Sequence, residues 1–293
     1  MKKHIEKAQI IAETLPYVKK FRDKIFVIKY GGSAMVNEKI RKTVMQDIAL
    51  LKFMGIRLVV VHGGGPEINK ALQDSGKEPE FINGLRVTDK ETMEIVESVL
   101  FGKINKEIMQ DLEKLGANAI GICGKDSNTL ISTKKYINGC DLGFVGDISQ
   151  VNTNLLNMLI ESNFIPVVSP IGVDKQGNSY NINADYAAVA VAGALKAEKL
   201  IFLTDVPGVL RDVNDSTSLI PELSVEDVSQ YIQDKTISGG MIPKVECCIA
   251  GIKQGVKSVY ILDGRIEHSL LLEMFTDKGF GTMFKGNKVV TAI

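Results

Sequence analysis

The stretch LVVVHGGGP, from Leu58 to Pro66, decides the fold of this 293-residue chain. Four consecutive apolar residues, three of them β-branched, are typical of a strand that is covered on both faces of a parallel sheet. The three glycines let backbone N–H groups approach a ligand, and the helix expected after them points the positive end of its dipole at the same place. The stretch therefore predicts an anion-binding corner between a buried strand and a helix.

Strands and helices are expected to alternate along the rest of the chain. Beside the strand at Leu58, the pattern predicts strands at residues 24–29, 119–123, 165–170, 199–203 and 258–262, helices at residues 38–54, 90–115, 154–163, 185–195 and 267–275, a helix from near Pro243, hairpins or loops at residues 133–147 and a surface loop at residues 211–218. Alternation of this length favours a three-layer α/β/α sandwich with a mainly parallel central sheet. We expect an N-terminal helix at residues 1–21, an N-lobe at 22–195 and a C-lobe at 196–293.

Composition and charge narrow the classes of function. Apolar residues make up 45% of the chain, and 35 Lys plus Arg cancel 35 Asp plus Glu. Zero net charge argues against a nucleic-acid or membrane partner, since either normally goes with a basic excess. The four cysteines form no CxxC pair, which disfavours a zinc site and favours a reducing cytoplasm. The longest apolar run, Ala187 to Leu195, is too short to cross a bilayer, and the N-terminus does not read as a signal peptide.

The first twenty residues carry one apolar stripe at helical spacing, which Pro16 interrupts. The proline is expected to kink the helix or to start a second one. Two interpretations remain open at this point. The helix either folds back on its own domain or forms an arm on another subunit.

Two common phosphate motifs are missing, and glycine-lysine corners remain. The chain has no GxxxxGK[ST] string, and a GxGxxG fingerprint would need glycine where Ile68 stands. Lys29 precedes Gly31-Gly32, and Lys244 follows Gly239-Gly240-Met241. A lysine beside two glycines is often an ordinary turn, but three glycine corners in one α/β chain favour phosphoryl transfer.

Two further polar clusters have a structural and a functional interpretation. In Asn181-Ile-Asn183-Ala-Asp185, one residue is explained as a helix N-cap. In the functional alternative, Asn181 makes a hydrogen bond to a ligand, and Asp185 holds the two lysines in position. Arg86 is either solvated or grips a carboxylate through its fork. His62 is expected only to shape the glycine loop.

These residues resemble the motifs of the amino-acid kinase family. The matching strings are IKYGG at residues 28–32, VHGGG at 61–65, NGLRVT at 83–88, NINAD at 181–185, LTD at 203–205 and GGMIPK at 239–244. They follow the order of the family over nearly the whole chain. NGLRVT together with NINAD is specific to the branch that phosphorylates N-acetyl-L-glutamate.

The resemblance implies the amino-acid kinase fold and transfer of a phosphoryl group from ATP, with Mg²⁺, to the side-chain carboxylate of N-acetyl-L-glutamate in arginine biosynthesis. The N-lobe would bind acetylglutamate and dimerise, and the C-lobe would bind ATP. By position, Gly64, Gly65, Arg86 and Asn181 would hold the substrate, Lys29 and Lys244 would stabilise the transferring group with Asp185 orienting them, and Gly31, Gly32, Thr204, Asp205, Gly240 and Met241 would surround the nucleotide.

The resemblance also implies regulation. Family members inhibited by L-arginine share an N-terminal helix, which links three dimers into a hexamer, and a C-terminal segment similar to the one here. By position, Tyr17, His268, Glu273 and Gly279 would line the arginine pocket. The alternative is that these four residues only cap and pack the last helix.

Three other functions are weighed against this one. A kinase of the same family that acts on another acid, such as an aminoadipate derivative, would keep the fold and both lysines. A nucleotide-binding sensor without catalysis is disfavoured because Lys29 and Lys244 are both present. A nicotinamide oxidoreductase is disfavoured by the missing fingerprint.

Overall fold

A computed structural model describes residues 1–276 and 278–286. Its strands are β1 (Ile25–Tyr30), β2 (Arg57–His62), β3 (Phe81–Ile82), β4 (Leu85–Arg86), β5 (Ala119–Cys123), β6 (Leu130–Ile137), β7 (Cys140–Val151), β8 (Ile165–Ser169), β9 (Ile171–Val173), β10 (Ser179–Asn181), β11 (Lys199–Thr204), β12 (Glu222–Ser224), β13 (Ser258–Asp263) and β14 (Thr282–Lys285). Its α-helices are α1 (Lys2–Glu13), α2 (Leu15–Phe21), α3 (Ser33–Val36), α4 (Glu38–Phe53), α5 (Gly65–Asp74), α6 (Lys90–Glu97), α7 (Asn105–Lys114), α8 (Asn154–Glu161), α9 (Ala184–Ala194), α10 (Asp227–Gln233), α11 (Met241–Lys253) and α12 (Ser269–Phe275). A π-helix, Ser98–Ile104, joins α6 to α7, and a short 3₁₀-helix spans Asp126–Asn128.

The central sheet has eight strands in the order β12-β14-β13-β11-β1-β2-β8-β5. Its neighbours pair in parallel, except β13 and β14, which are antiparallel. Beside it, β6, β7, β9 and β10 close into a small barrel, and β3 pairs with β4. The predicted α/β fold with a mainly parallel sheet is confirmed.

Hydrophobic packing on both faces of the sheet explains the continuous apolar runs of its strands. Ile28 and Val60 belong to the core on one face, and Val27, Val59 and Val61 belong to the core on the other. All five side chains are fully buried. Alternate residues of one strand therefore pack into two separate layers of helices, as a strand period of two requires.

The N-terminal segment forms two helices rather than one. α1 and α2 meet at Thr14, and Pro16 lies in the first turn of α2, where its missing N–H costs no hydrogen bond. On α1, Ile5 and Ile11 are exposed, whereas Phe21 at the end of α2 is buried. The end of α2 therefore packs on the core, whereas these two isoleucines of α1 are left exposed.

The start of the last helix and the region around residue 196 differ from their predicted boundaries in different ways. The last helix begins at Ser269, not at residue 267, because His268 adopts a left-handed backbone conformation (φ 59°) that cannot continue a helix. Near residue 196, the sheet continues across the expected lobe boundary, since β11 pairs with β1. Within the described residues, no helix is both long and apolar enough to cross a membrane.

Candidate active site

A cavity of about 290 Å³ lies at the carboxyl ends of β1 and β2, beside the start of α9. Its lining includes Lys29, Gly32, Gly64, Gly65, Arg86, Asn181 and Asp185. These are residues that the sequence assigned to the substrate, to the nucleotide and to catalysis. They come from distant parts of the chain: Lys29 and the glycines lie at the carboxyl ends of β1 and β2 in the central sheet, Arg86 lies on β4, and Asn181 ends β10 of the small barrel.

Lys29 and Asp185 form an ion pair inside the cavity. The Lys29 Nζ atom lies 2.9 Å from a carboxylate oxygen of Asp185. Burial acts to raise the pKa of Asp185, but attraction to Lys29 and then to Lys244 outweighs it and holds the pKa below its usual value. Lys244 lies in the first turn of α11 and acts on this carboxylate through its charge, although it does not line the cavity itself.

In the NINAD segment, one polar residue caps a helix and two others line the cavity. Asn183 is the N-cap of α9, since its side-chain oxygen accepts from the backbone N–H groups of Asp185 and Tyr186. Asn181 ends β10, outside the helix. The helix cap therefore uses Asn183 alone and leaves the side chains of Asn181 and Asp185 on the cavity.

Arg86 is a buried cation in the lining of the cavity. Its side chain is stacked on Phe81, with 4.7 Å from Cζ to the ring centroid, and only 7% of the residue is exposed. Nη2 donates to Asn69 Oδ1 at 2.6 Å and to the Gly65 carbonyl at 3.4 Å. Nη1 is buried and has no partner among the described residues, and no described acidic side chain pairs with this guanidinium. Burial lowers the pKa of Arg86.

Thr88 connects Arg86 to Asn181. Its hydroxyl donates to the Arg86 carbonyl at 2.8 Å and accepts from Asn181 Nδ2 at 3.3 Å. Thr88 is fully buried, and its own backbone bonds to Leu142 and Phe144 of the hairpin β6–β7. The sequence marks Thr88 only as the last residue of the NGLRVT string, which indicates no role of its own. Asn69 has no sequence signal beyond its place one turn into α5.

The glycine corner has two kinds of glycine. A Cβ at Gly64 would lie 2.4 Å from Ile104 Cδ1 and 2.7 Å from Leu100 Cδ2, so a side chain there would force these two π-helix side chains to move. A Cβ at Gly65 would meet nothing within 4 Å. In the described part of the chain, no residue accepts a hydrogen bond from the Gly64 or Gly65 N–H. These two amides are therefore available to an anion in the cavity.

The six residues assigned to the nucleotide come from three segments of the chain, and five of them are not among the residues that line the cavity. Gly31 follows β1, and a Cβ there would stand 3.1 Å from Lys29 Nζ. Thr204 ends β11, the neighbour of β1, and Asp205 follows it. Gly240 and Met241 stand at the N-terminal end of α11. Of the six, the cavity lining includes Gly32.

The four residues assigned to arginine make contacts at and near α12: Glu273 lies in it, His268 is its N-cap, and Tyr17 contacts Phe275. Tyr17 packs edge-on against Phe275, with ring centroids 6.0 Å apart. Glu273 accepts from the Phe280 and Gly281 backbone N–H groups at 2.7 and 3.2 Å. His268 lies 2.5 Å from Asp47, and Gly279 packs near Pro221. These contacts give each of the four residues a packing role.

The site was also compared with known proteins. Residues 24–263 match the model of the amino acid kinase family. The chain therefore belongs to the amino-acid kinase family.

One relative indicates the branch of the family. The acetylglutamate kinase of Desulforamulus reducens is 55% identical over 280 residues, which cover 95% of this chain and 97% of that protein. The resemblance to this branch of the family is thereby confirmed.

Two solved structures are also similar. The N-acetylglutamate synthase of Neisseria gonorrhoeae, complexed with coenzyme A and N-acetyl-glutamate, superposes on 96% of this chain with a TM-score of 0.84 at 26% identity. The same synthase complexed with coenzyme A and L-arginine gives a TM-score of 0.79 at 26% identity over 95% of this chain. This chain spans 64% and 65% of those two chains, so it matches only part of the synthase.

Proposed function

We propose that the protein is an acetylglutamate kinase, which transfers the γ-phosphoryl group of ATP to the side-chain carboxylate of N-acetyl-L-glutamate in arginine biosynthesis. This activity is carried over from relatives such as the acetylglutamate kinase at 55% identity. The observation in the site that carries the proposal is the guanidinium of Arg86, which is buried without an acidic partner among the described residues.

A buried guanidinium without a counter-ion is costly, and a bound carboxylate would remove that cost. N-acetyl-L-glutamate offers two carboxylates. The reacting one must keep a free lone pair for attack, so the α-carboxylate is the better partner for the fork of Arg86. Asn181, joined to Arg86 through Thr88, is then placed to bond the same substrate.

The reacting carboxylate belongs at the glycine corner, opposite the incoming phosphate. A side-chain carboxylate has a pKa of about 4.3 and is ionised at neutral pH, so no general base is required. One of its oxygens bonds to the γ-phosphorus while the bond from that phosphorus to the bridging oxygen breaks, and ADP leaves. The free amides of Gly64 and Gly65 and the ammonium groups of Lys29 and Lys244 stabilise the charge that accumulates between two anions.

Asp185 supports this step without donating or accepting a proton. Because its pKa is held low, the carboxylate stays ionised and keeps Lys29 in place at the end of β1. ATP then lies over Gly31 and Gly32 toward Thr204, Asp205, Gly240 and Met241, with its phosphates directed at the two lysines. The N-lobe would hold the acid and the C-lobe the nucleotide.

The residues present fit a magnesium ion that arrives with the nucleotide. Residues 1–276 and 278–286 contain no group of three or more His, Cys, Asp or Glu that could hold a metal ion. Mg²⁺ commonly keeps several waters and binds through substrate phosphates with one or two carboxylates, so it needs no protein cage. When bound, it would neutralise phosphate charge.

The proposal extends to feedback inhibition by L-arginine and to a hexamer built from three dimers. Support comes from α1, whose apolar residues Ile5, Ile10 and Ile11 are exposed, and from Tyr17, which joins α2 to α12. An exposed apolar helix face is typical of a contact with another subunit. All four cysteines are free thiols, which supports the cytoplasm as the compartment.

An ADP-release assay tests the proposal with N-acetyl-L-glutamate, glutamate, aspartate and N-acetyl-aminoadipate as acceptors, with and without millimolar L-arginine. ADP release that depends on N-acetyl-L-glutamate supports the function, and a preference for the aminoadipate derivative would favour the related kinase instead. No ADP release with any acid would contradict it. An arginine-insensitive rate would remove the regulatory part alone.

A further inference from the structure

A buried cluster of polar side chains lies directly beneath the glycine corner, and the proposed reaction does not use it. The cluster consists of His62 at the end of β2, Asn105 at the start of α7 and Ser169 at the end of β8. Each of the three residues is 0% exposed. Burying three polar groups where apolar ones would pack is unfavourable unless their hydrogen bonds are made, so their arrangement requires a reason.

The hydrogen bonds of His62 define one tautomer. Its Nδ1 atom lies 2.9 Å from the Gly63 carbonyl oxygen, which can only accept, so Nδ1 carries the proton. Nε2 is then an acceptor, and the two groups that face it can both donate: Ser169 Oγ at 3.0 Å and Asn105 Nδ2 at 3.2 Å. Burial lowers the pKa of His62 to about 4, so the ring is neutral at neutral pH.

Asn105 orients its amide through backbone carbonyls. Its Nδ2 donates to the Val167 carbonyl at 2.8 Å and approaches the Ile122 carbonyl at 3.4 Å. A flipped amide would turn its oxygen toward both carbonyls, so the donor must face them and His62. Asn105 is thus held by two strands of the sheet.

The π-helix completes the underside of the corner. Ser169 Oγ also approaches the Leu100 carbonyl at 3.4 Å, and the side chains of Leu100 and Ile104 fill the space where a Cβ of Gly64 would be. π-Helical turns are rare and occur often at functional sites. Asn105 follows this turn directly, so the irregular helix and the polar cluster form one support.

We infer that His62, Asn105 and Ser169 are positioning residues that hold the Gly63–Gly64 peptide in the orientation needed for phosphoryl transfer. In a trans peptide the carbonyl and the N–H point in opposite directions. The imidazole holds the Gly63 carbonyl on the buried side, so the Gly64 N–H is directed away from the core, toward the cavity. Glycine has little intrinsic preference for one backbone conformation, so the hydrogen bond from His62 supplies the restriction. This inference rests on the proposed function of the same site.

A pair of matched variants tests the inference. In His62→Asn, the side-chain amide nitrogen can take the place of Nδ1 and keep the bond to Gly63. In His62→Gln, the amide reaches the position of Nε2 and can keep the bonds to Asn105 and Ser169, but the donor to Gly63 is lost. His4→Gln, at an exposed position of α1, is the control for mutation of a histidine.

We expect His62→Gln to lower kcat by about 10- to 100-fold, the scale of a misplaced reacting geometry, with a smaller change in KM for ATP. His62→Asn should keep most of the wild-type kcat. Unfolding temperatures of both variants, measured alongside, separate this effect from loss of fold. Equal kcat values for the two variants, whether both high or both low, would overturn the inference.

A second readout does not depend on activity. The ¹⁵N spectrum of histidine-labelled protein, with the His62 signals assigned from the His62→Asn variant, should show the Nδ1–H tautomer. The Nε2–H tautomer or a charged ring at pH 7 would overturn the inference. If the wild-type protein released no ADP with any acid, the proposed function would fall while the tautomer result stood.

Discussion

The ammonium group of Lys29, near the end of β1, lies 2.9 Å from the carboxylate of Asp185, in the first turn of α9. The contact joins two elements of the chain that are separated by more than half its length. It also places a cation and its counter-ion in the cavity that Arg86 lines as well. The proposed chemistry depends on this pair, because Lys29 must be fixed before the phosphoryl group arrives.

Removal of the Lys29 charge should therefore slow turnover. We expect Lys29→Ala to lower kcat by about 10²- to 10³-fold, the effect of losing one preorganised charge-stabilising donor. Lys175→Ala, in an exposed turn, is the matched control and should leave kcat unchanged. Steady-state kinetics at saturating ATP measure both. A folded Lys29→Ala protein with normal kcat would exclude Lys29 from the reaction.

Asp185→Asn should change stability in a pH-dependent way. The folded-state pKa of Asp185 is depressed below 3.8, so the ionised carboxylate stabilises the folded protein above that pH. This contribution is lost as pH falls through the folded-state pKa, where the wild-type carboxyl group also becomes neutral. We expect the unfolding temperature of Asp185→Asn to be lower than that of the wild type at pH 7, and the difference to shrink as the pH falls through the folded-state pKa. A constant difference across this range would contradict the assignment.

Arg86→Lys should act on substrate binding. The variant keeps a positive charge but loses the planar fork, so one charge-assisted hydrogen bond to a carboxylate is lost. We expect KM for N-acetyl-L-glutamate to rise about 10- to 100-fold, which corresponds to ~1.5–3 kcal/mol. Arg211→Lys, at an exposed position, is the control. An unchanged KM in Arg86→Lys would show that the guanidinium does not grip the substrate.

The two glycines of the corner should respond differently to alanine. Gly64→Ala places a Cβ within 2.4 Å of Ile104 and 2.7 Å of Leu100, so we expect a loss of about 1–3 kcal/mol in the free energy of unfolding. Gly65→Ala meets nothing within 4 Å and should unfold like the wild type. Because a methyl group at Gly65 would border the cavity, its effect should appear as a raised KM. Denaturant unfolding and steady-state kinetics of the two variants give the comparison, and equal stabilities would contradict it.

Much of the central sheet was predictable because its strands are continuous runs of apolar residues, which can be recognised in the sequence itself. β2 is a run of apolar residues that ends in glycines, and both of its faces are buried. By contrast, β9 and β10 are three residues each and exist because they pair with each other and with the hairpin β6–β7. Such short strands have no local pattern that distinguishes them from loops.

The residues of the site also separate into those that the sequence predicts and those that depend on the fold. Lys29, Arg86, Asn181 and Asp185 were selected from glycine corners, a helix start and family motifs, and the structure brings them to one cavity. Four other polar residues could not be predicted, because each acts through a side-chain contact that only the fold creates: Asn69, Thr88, Asn105 and Ser169. The π-helix was likewise hidden within a longer helical pattern, since its local residue spacing is that of a helix.

The most direct test of the central claim is a crystal structure of the protein with N-acetyl-L-glutamate and a non-hydrolysable ATP analogue. We predict that the α-carboxylate lies within hydrogen-bond distance of Arg86 Nη1. The side-chain carboxylate should lie at the Gly64 and Gly65 amides, facing the γ-phosphate beside Lys29. A phosphate group on Arg86, or a substrate carboxylate remote from both Arg86 and the glycine corner, would contradict the account.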